Sequence, residues 1–243
     1  MARQGYVNLA PAGAPTGDDA AMVAARAAFL AGGWFDPLTA ALASAAGEAA
    51  AVPGAVTELG SGTGHHLAAV LDALGDRAGV ALDASVYAAR RAARAHPRAT
   101  SVVADAWGRL PLRDGSVAVA MVVFAPRGGA EIARVLAPGG TLIAAVPAER
   151  HLAELAEPLG LLAVDPDKDR RLRDALGPAL APVGERELEW TMALDHEAAA
   201  ALGAMGPSAR HIDADELSSR VGRLPQPLPV SGAVSVSRWR AAG

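Results

Sequence analysis

The sequence predicts an α/β fold: a doubly wound, mainly parallel sheet of seven strands, with an antiparallel strand pair at its C-terminal end and a helical cap at its N-terminus. Short Val-rich runs that are apolar on every residue alternate with helical segments, which is typical of parallel strands buried between helices. The chain has 243 residues, of which 51% are hydrophobic, so it can fill one large core. A parallel sheet that ends in an antiparallel pair is the simplest way to place the last two strand candidates.

The predicted elements follow in order along the chain. Residues 1–17 are rich in Gly, Pro and Ala and are predicted to be an extended arm. The first helix begins after an N-cap at Asp18 or Thr16 and ends at Gly32-Gly33, and the second runs from Asp36-Pro37 to about Ala51. The predicted parallel strands are Ala55–Leu59, Gly79–Leu82, Ser101–Ala104, Val117–Phe124 and Thr141–Val146. The other predicted elements are helices at His65–Leu74, Glu149–Leu162, His196–Met205 and Asp213–Val221, a polar segment at Asp165–Asp174, and strands at Glu185–Leu194 and Val230–Trp239.

Composition excludes several classes of protein. The chain contains no Cys, which excludes disulfides, a thiolate nucleophile and Cys-ligated zinc, and its six His residues have no metal-ligand spacing, so no metal is predicted. The sequence shows no charge-free apolar run of about 20 residues and no signal-peptide pattern, which predicts a cytoplasmic protein with no membrane partner. The formal net charge of −4 argues against a dedicated nucleic-acid binder, and the arginines at 90–98 and 170–173 are interpreted as solvated helix faces.

The strongest local signal is a glycine loop, Gly60–Gly64, which lies between the first parallel strand and the helix predicted from His65. Its glycines at 60, 62 and 64 allow a tight turn and let a ligand lie against bare backbone. The dinucleotide motif would place its third glycine at position 65, which is His65, and no Lys-Ser or Lys-Thr pair follows as in a P-loop. The loop therefore predicts a nucleotide-like ligand of another kind.

Acidic residues stand at the ends of three successive predicted strands: Glu58, Asp83 and Asp105, the last followed by Ala106. One such acid is more often a helix N-cap than a ligand contact. Because the carboxyl ends of parallel strands meet at one edge of a sheet, all three acids should face the same crevice. Together with the glycine loop they predict a nucleoside-like cofactor at this edge.

This combination resembles the pattern of class I S-adenosylmethionine (SAM) methyltransferases. The resemblance implies SAM as cofactor and S-adenosylhomocysteine as product. It also implies that Glu58 serves the methionine ammonium group, that Asp83 accepts the ribose hydroxyls and that Asp105 reads the adenine amino group. The predicted cofactor-binding residues are Glu58, Gly60, Ser61, Gly62, Gly64, His65, His66, Asp83, Asp105, Ala106 and Phe124.

The chain also resembles, over essentially its whole length, the large-subunit ribosomal RNA guanine-N1 methyltransferases. Its N-terminal motifs are the more specific part, because generic methyltransferases lack them. The matching segments are Gly5–Leu9, residues 18–38 around Asp18, Arg26 and Phe29, Phe124–Pro126, Ala133–Gly140 and Arg150–Leu155. The resemblance implies a homodimer, an arm and helical cap at residues 1–52, and a SAM-binding methyltransferase domain at residues 53–243, with residues 151–225 adding substrate-side helices.

Two departures from the family shape the expected substrate. Family members carry a Cys-ligated zinc ribbon, linked to much of the RNA recognition, before the segment that matches Gly5–Leu9. This sequence begins four residues before that segment, and Ser61 replaces a frequent Cys of the glycine loop. We therefore expect the methyltransferase body to be retained and the nucleic-acid reader to be absent.

The primary functional prediction is methylation of a ring nitrogen or carbon of a planar heteroaromatic small molecule, such as an indole-like natural product. The absent ribbon, the net negative charge and the single Lys support it, because phosphate neutralisation supplies most of the affinity for RNA. The alternative is a ribosomal RNA guanine-N1 methyltransferase that has lost its ribbon, with dimerisation rebuilding the RNA cleft. A SAM-binding protein without activity is a weaker third hypothesis, because the loop and the acids are intact.

The segment Phe124–Arg127 lacks the side-chain amide or carboxylate that would hold an exocyclic amine, which favours a ring atom as the acceptor. Phe124 and the pair Trp34-Phe35 are either stacking walls for a planar acceptor or ordinary core. No catalytic residue is assigned; the candidates are Tyr6, Asp18 and His151. The candidate substrate-binding residues are Tyr6, Asn8, Arg26, Trp34, Phe35, Pro126 and Arg127.

Overall fold

A computed structural model describes residues 2–14, 16–49, 51–125, 128–162 and 167–242, and within these ranges eight strands form a single sheet. The strands are β1 (Tyr6–Asn8), β2 (Ala55–Leu59), β3 (Gly79–Asp83), β4 (Ala99–Val103), β5 (Val117–Val123), β6 (Leu136–Pro147), β7 (Leu180–Leu194) and β8 (Leu228–Ala241). Their order across the sheet is β1-β4-β3-β2-β5-β6-β8-β7. All pairs are parallel except β6–β8 and β8–β7, so the predicted fold class, with its antiparallel C-terminal pair, is confirmed.

Helices cover both faces of the sheet. Those in the described part of the chain are α1 (Ala20–Ala31), α2 (Asp36–Ala49), α3 (His65–Ala73), α4 (Val86–Ala92), α5 (Gly129–Val135), α6 (Ala153–Leu159), α7 (Lys168–Leu176), α8 (His196–Met205) and α9 (Ala214–Val221). Neighbouring residues of β5 belong to different cores: Met121 packs with the cluster that includes α1, α2 and α8, whereas Val122 packs with α5 and α7. Over the described residues, no helix is both long and apolar enough to span a membrane.

The N-terminal arm contains a strand that the sequence analysis missed. Residues Tyr6–Asn8 form β1, which pairs in parallel with β4 at the edge of the sheet, with Tyr6 opposite Ser101. The described sheet therefore has eight strands rather than the seven predicted. A three-residue strand within a Gly- and Pro-rich segment shows no periodicity in the sequence, and pairing with β4 creates it.

Three local predictions also need correction. The N-cap of α1 is Asp19 rather than Asp18 or Thr16, since its side chain accepts a hydrogen bond from the Met22 backbone N–H at 2.9 Å. The helix predicted over residues 149–162 is shortened to α6, which lies between left-handed residues at Leu152 and Gly160. The polar segment predicted over residues 165–174 mostly forms α7.

Candidate functional site

The glycine loop lies at the carboxyl end of β2 and presents its backbone there. Gly60 and Gly64 adopt left-handed backbone angles, with φ of +68° and +77°. A Cβ at Gly60 would lie 2.4 Å from the Cβ of Ala125, and one at Gly64 would lie 3.1 Å from the Cα of Ala92. Only glycine fits both the conformation and the space at these positions, so the loop can turn tightly between β2 and α3.

Asp83, at the end of β3, ties the glycine loop to the start of α4. Its Oδ2 accepts the Gly62 backbone N–H and its Oδ1 accepts the Ser85 backbone N–H, each at 2.8 Å. Burial raises the pKa of Asp83, while the N–H groups of Ser85 and Gly62 partly oppose that shift. Each carboxylate oxygen has a further lone pair, so the group can still accept hydrogen bonds from ligand hydroxyls.

Glu58 lies in the protein interior, near the carboxyl end of β2. Its side chain is buried, and Oε2 accepts the Leu67 backbone N–H of α3 at 3.1 Å. Burial, the largest effect, raises the pKa of Glu58 to about 8. The contacts of Glu58 hold β2 to α3, and its direct contact with a cofactor ammonium group stays a prediction.

The structure brings Asp105 and Ala106 to the same edge. They follow β4, whose Val103 lies opposite Asp83 in the neighbouring strand. Oδ1 of Asp105 accepts the Trp107 backbone N–H at 2.9 Å, which fixes the carboxylate in a short turn. Glu58, Asp83 and Asp105 therefore stand at the carboxyl ends of three adjacent strands, as the sequence predicted.

Residues of the N-terminal cap lie over the glycine loop. Arg26 of α1 pairs with Asp18 at 2.5 Å and donates to the Met205 carbonyl of α8 at 2.9 Å. Its Cδ and Nη1 atoms are 3.4 Å from the position that a Cβ on Gly62 would occupy. Two candidate residues of the cap, Asp18 and Arg26, are thus placed beside the cofactor edge by the tertiary structure.

Ser61 carries a polar group that the described residues leave without a partner. Its side chain is buried, and its Oγ atom has no hydrogen-bond partner among them. A buried hydroxyl without a partner is uncommon and costs free energy, so a polar ligand atom or a water at this point would stabilise it. No group of three or more His, Asp or Glu residues that could hold a metal ion occurs in the described part of the chain.

His66 lies in the first turn of α3 and is hydrogen-bonded to Thr39. Its Nδ1 lies 2.9 Å from Oγ1 of Thr39, and that hydroxyl donates its own hydrogen to the Phe35 carbonyl. Nδ1 must therefore carry the ring proton. Burial lowers the pKa of His66 to about 3, and it also lowers the pKa of His65, so both rings are neutral near pH 7.

An aromatic cluster adjoins the loop on the side of β5. Its members are Phe29, Phe35, Phe124, His151 and Trp190. Phe35 is central: its ring centroid lies 5.1 Å from that of Phe29, 5.7 Å from that of Trp190 and 6.2 Å from that of Phe124. Phe29 and Phe35 are buried, whereas 39% of Phe124 is exposed. The cluster therefore has a packed interior and an aromatic face at the carboxyl edge of the sheet.

His151 is oriented by the backbone of β8. Its Nδ1 accepts the Ala233 N–H at 3.2 Å, so the neutral ring carries its proton on Nε2. This tautomer makes the outer nitrogen a donor rather than the proton acceptor that a catalytic base requires. The geometry therefore argues against the predicted role of His151 as a base.

Several predicted residues have other roles or lie elsewhere. Tyr6 is buried with Ala89 and Val103 at the sheet edge, where it packs β1 against α4, and its catalytic or substrate-binding role stays a prediction. Asn8 accepts the Ala10 N–H at 3.0 Å in a local turn. Trp34 joins the cluster through its backbone carbonyl, which accepts the Trp190 Nε1–H at 2.8 Å. Pro126 and Arg127 lie outside the described residues.

Sequence reasoning missed Trp190, which closes the inner side of the aromatic cluster. The alternation of Leu188, Trp190 and Met192 along β7 does predict that Trp190 faces the core. It does not predict the partner, because Phe35 lies 155 positions earlier in the chain.

Comparison with known proteins agrees with this geometry. Residues 56–140 match a family model described as a methyltransferase domain. A Streptomyces fradiae protein named "23S rRNA (guanine(748)-N(1))-methyltransferase" is 52% identical, with 93% of this chain and 81% of the relative covered. A Micromonospora griseorubida protein named "Putative 23S rRNA (guanine-N(1)-)-methyltransferase" is 49% identical over 99% of this chain and 86% of the relative.

A solved structure shares the fold. It is a SAM-dependent methyltransferase from Geobacter sulfurreducens in complex with S-adenosylhomocysteine, with a TM-score of 0.50 and 17% identity over 83% of this chain and 90% of that chain. At this identity the likeness shows the fold alone.

Proposed function

We propose that this chain, which belongs to the family of 23S rRNA (guanine-N1) methyltransferases, transfers a methyl group to N1 of a guanine in 23S ribosomal RNA. It is a SAM-dependent methyltransferase. The observation that carries the proposal is the identity of about half of all positions over 93–99% of the chain, because it includes the cap and the C-terminal strands that lie beyond the general methyltransferase domain.

The prediction of a small heteroaromatic acceptor was wrong. Relatives at 49% and 52% identity are both named as methyltransferases of 23S rRNA. The prediction relied on the formal net charge of −4, but RNA affinity depends on where cations stand rather than on the sum over the chain. Arg90 and Arg91 are exposed on α4, and Arg94 is exposed just beyond it, so a locally basic surface coexists with a negative total.

The site fits SAM in two respects. The glycine loop offers bare backbone where a Cβ at Gly60 would collide with Ala125, and the buried Ser61 hydroxyl lacks a partner that a polar ligand atom would supply. We assign the cofactor to the loop and to Asp83 and Asp105, with Glu58 supporting the loop from inside. Bound SAM supplies an electrophilic methyl group on a sulfonium.

The protein's part in the reaction is to hold and orient the cofactor and the acceptor. Asp83 fixes the Gly62 and Ser85 backbones, so the cofactor surface is preorganised before the acceptor arrives. Arg26 pairs with Asp18 and donates to the Met205 carbonyl, which holds the cap against α8 beside Gly62. Guanine N1 would gain the methyl group as the carbon–sulfur bond of the sulfonium breaks, leaving S-adenosylhomocysteine, and N1 would lose its proton to solvent, a step for which a weak base suffices.

The remaining assignments belong to the same proposal. Residues 1–52 act as arm and cap, residues 53–243 as the methyltransferase domain, and residues 151–225 add substrate-side helices. The hydrogen bond from Arg26 to the Met205 carbonyl joins the cap to α8. We also assign the enzyme to the cytoplasm, where a ribosomal substrate occurs, and to a homodimer. Light scattering of the purified protein, with and without RNA, tests the homodimer.

The direct test is methylation of 23S rRNA that lacks this modification. Purified protein, RNA and SAM labelled in the methyl group should yield labelled 1-methylguanosine after digestion, identified by mass spectrometry. Reverse transcription should stop at the same nucleotide, because a methyl group on N1 blocks base pairing. RNA that remains unlabelled while calorimetry shows SAM binding would contradict the proposal, as would a methyl group on another atom.

A further inference from the structure

We propose that the exposed face of the Phe124 ring is the platform on which the acceptor guanine stacks during methyl transfer. The inference rests on the proposed function and adds to it the residue that positions the base. An enzyme that modifies a ring atom of an RNA base needs that base outside the helical stack, and an aromatic side chain can replace the lost stacking partner.

The fold places Phe124 beside the cofactor edge. It is the residue directly after β5, which pairs in parallel with β2 so that Val122 lies opposite Leu59. The next residue, Ala125, has its Cβ 2.4 Å from the position of a Cβ on Gly60. The residues at 124 and 125 therefore lie against the backbone of the glycine loop, and a base stacked on the ring would lie beside that loop.

The ring is supported from behind. Phe35 meets it edge to face at a centroid distance of 6.2 Å, and the His151 ring lies 5.3 Å away at a tilt of 39°. Both supports are themselves held: Phe35 is 3% exposed, and His151 accepts a hydrogen bond from Ala233. A braced ring loses little conformational freedom when a base stacks on it, which favours binding.

The backbone of Phe124 is in an unusual conformation. Its φ is +53°, in the left-handed region that bulky residues seldom adopt, and its N–H donates to the Ala145 carbonyl at 3.0 Å. Strained residues of this kind concentrate at functional sites. A purely packing role would bury the ring, as it buries Phe29 and Phe35; instead 39% of Phe124 is exposed at the site. This contrast favours the stacking role over ordinary core packing.

Replacing the ring should therefore weaken RNA methylation without weakening cofactor binding. Stacking of one base on an aromatic side chain contributes enough to change the rate constant kcat/KM by about 10- to 100-fold. We expect that loss for Phe124→Leu and Phe124→Ala, chiefly through KM for RNA. Phe124→Trp, which keeps an aromatic face, should stay within about fivefold of the wild type.

The experiment compares these variants and Phe124→Gly by single-guanine methylation of 23S rRNA, by SAM calorimetry and by thermal unfolding. Phe124→Leu is the decisive variant, since it keeps apolar volume and removes the aromatic face. Phe124→Gly relieves the backbone strain, so it should lose as much RNA activity as Phe124→Ala if the ring itself is what matters. The sequence predicted a cofactor contact for Phe124; if the ring serves the acceptor instead, all variants should bind SAM within about twofold of the wild type.

Two results would overturn the stacking role alone. Wild-type activity in Phe124→Leu would show that apolar volume suffices, and an equal loss of SAM affinity and RNA activity would make the ring a cofactor wall instead. A wild-type protein that never methylates RNA would contradict the proposed function, and the stacking role with it. The wild-type assay therefore separates the two failures.

Discussion

The cofactor edge and the aromatic cluster lie side by side, but they are built in different ways. The cofactor edge is built around backbone: the bare turn at Gly60–Gly64, and the Gly62 and Ser85 N–H groups that the Asp83 carboxylate holds in place. The aromatic cluster is built from side chains of separate elements, from Phe29 in α1 to Trp190 in β7. The first region needs particular residues at particular positions, whereas the second needs rings that meet in space.

The difference predicts how each region tolerates change. A backbone site fails when a side chain enters it, because left-handed angles and close approach both exclude a Cβ. A side-chain cluster fails when volume is lost, and its cost appears first in stability. Mutations that affect one region and spare the other therefore test whether the two are separable.

Gly60→Val should have the largest effect, because it affects both regions. Its Cβ would collide with Ala125, which displaces the turn carrying Phe124 as well as the loop. We expect SAM affinity to fall by at least about 100-fold in calorimetry, with loss of RNA methylation. Gly75→Val is the matched control: it shares the left-handed backbone, with φ of +61°, but no atom within 4 Å would meet its Cβ. If Gly60→Val binds SAM normally, the cofactor does not lie against the backbone of the glycine loop.

Phe35→Ala should break the aromatic cluster alone. Truncating a buried Phe costs about 3–5 kcal/mol of unfolding free energy, measurable by chemical denaturation. The folded fraction should bind SAM normally but lose RNA activity, because Phe124 loses its support. Leu42→Ala in the neighbouring helix removes an equally buried side chain outside the cluster and should cost stability without a specific loss of RNA activity. Equal RNA activity per folded molecule in Phe35→Ala and Leu42→Ala would show that the aromatic cluster has no specific part in RNA methylation.

Asp83→Ala should affect the cofactor edge alone. It removes the acceptor for two backbone N–H groups and the predicted contact with the ribose hydroxyls, each a charge-assisted bond of about 1.5–3 kcal/mol. We expect the SAM affinity of Asp83→Ala to be about 10- to 100-fold lower than that of the wild type. Asp83→Asn keeps one acceptor oxygen, so its SAM affinity should lie between those of the wild type and Asp83→Ala. An unchanged dissociation constant in Asp83→Ala would remove Asp83 from the cofactor site.

The smallest effect should be a pH dependence that comes from Glu58. Its pKa is about 8 in the native state and near 4.5 when unfolded, so the native state holds the proton more tightly and stability falls as pH rises through this window. Between pH 6.5 and 8 the slope should be about 1 kcal/mol per pH unit. His66, whose native pKa is about 3, opposes this trend: its unfolded imidazole is about half protonated at pH 6.5 and loses that proton as pH rises, whereas the native ring is already neutral. A variant that changes Glu58 alone shares this contribution of His66, so the comparison with the wild type isolates Glu58.

The variant that checks this is Glu58→Gln, which can still accept the Leu67 N–H without a charge. Urea unfolding should give a lower free energy of unfolding at pH 8 than at pH 6.5 for the wild type. The difference between the two pH values should be smaller for Glu58→Gln. Parallel profiles in both proteins would mean that Glu58 is already ionised at pH 6.5.

Much of the fold was predictable because buried parallel strands leave a continuous apolar signal. Strands β2 and β5 match their predicted bounds within one residue. The failures are elements that depend on partners: β1 exists because β4 offers it an edge, and α7 forms in a mostly polar segment from which Leu172 and Leu176 pack into the core. The N-cap of α1 also shifted by one residue, because Asp18 is engaged with Arg26 and Asp19 takes the cap.

What the sequence determined by itself is the chemistry of the cofactor edge: a glycine loop after one strand and acids after three, whose spacing alone brings them to one edge because parallel strands end together. What only the tertiary structure decided is the arrangement of the aromatic cluster. The exposure of Phe124, its contacts with Phe35 and His151, and the tautomer of His151 all depend on contacts between residues far apart in the chain. The physical reason is that ring contacts depend on shape and on distance in space, neither of which a local pattern of residue types records.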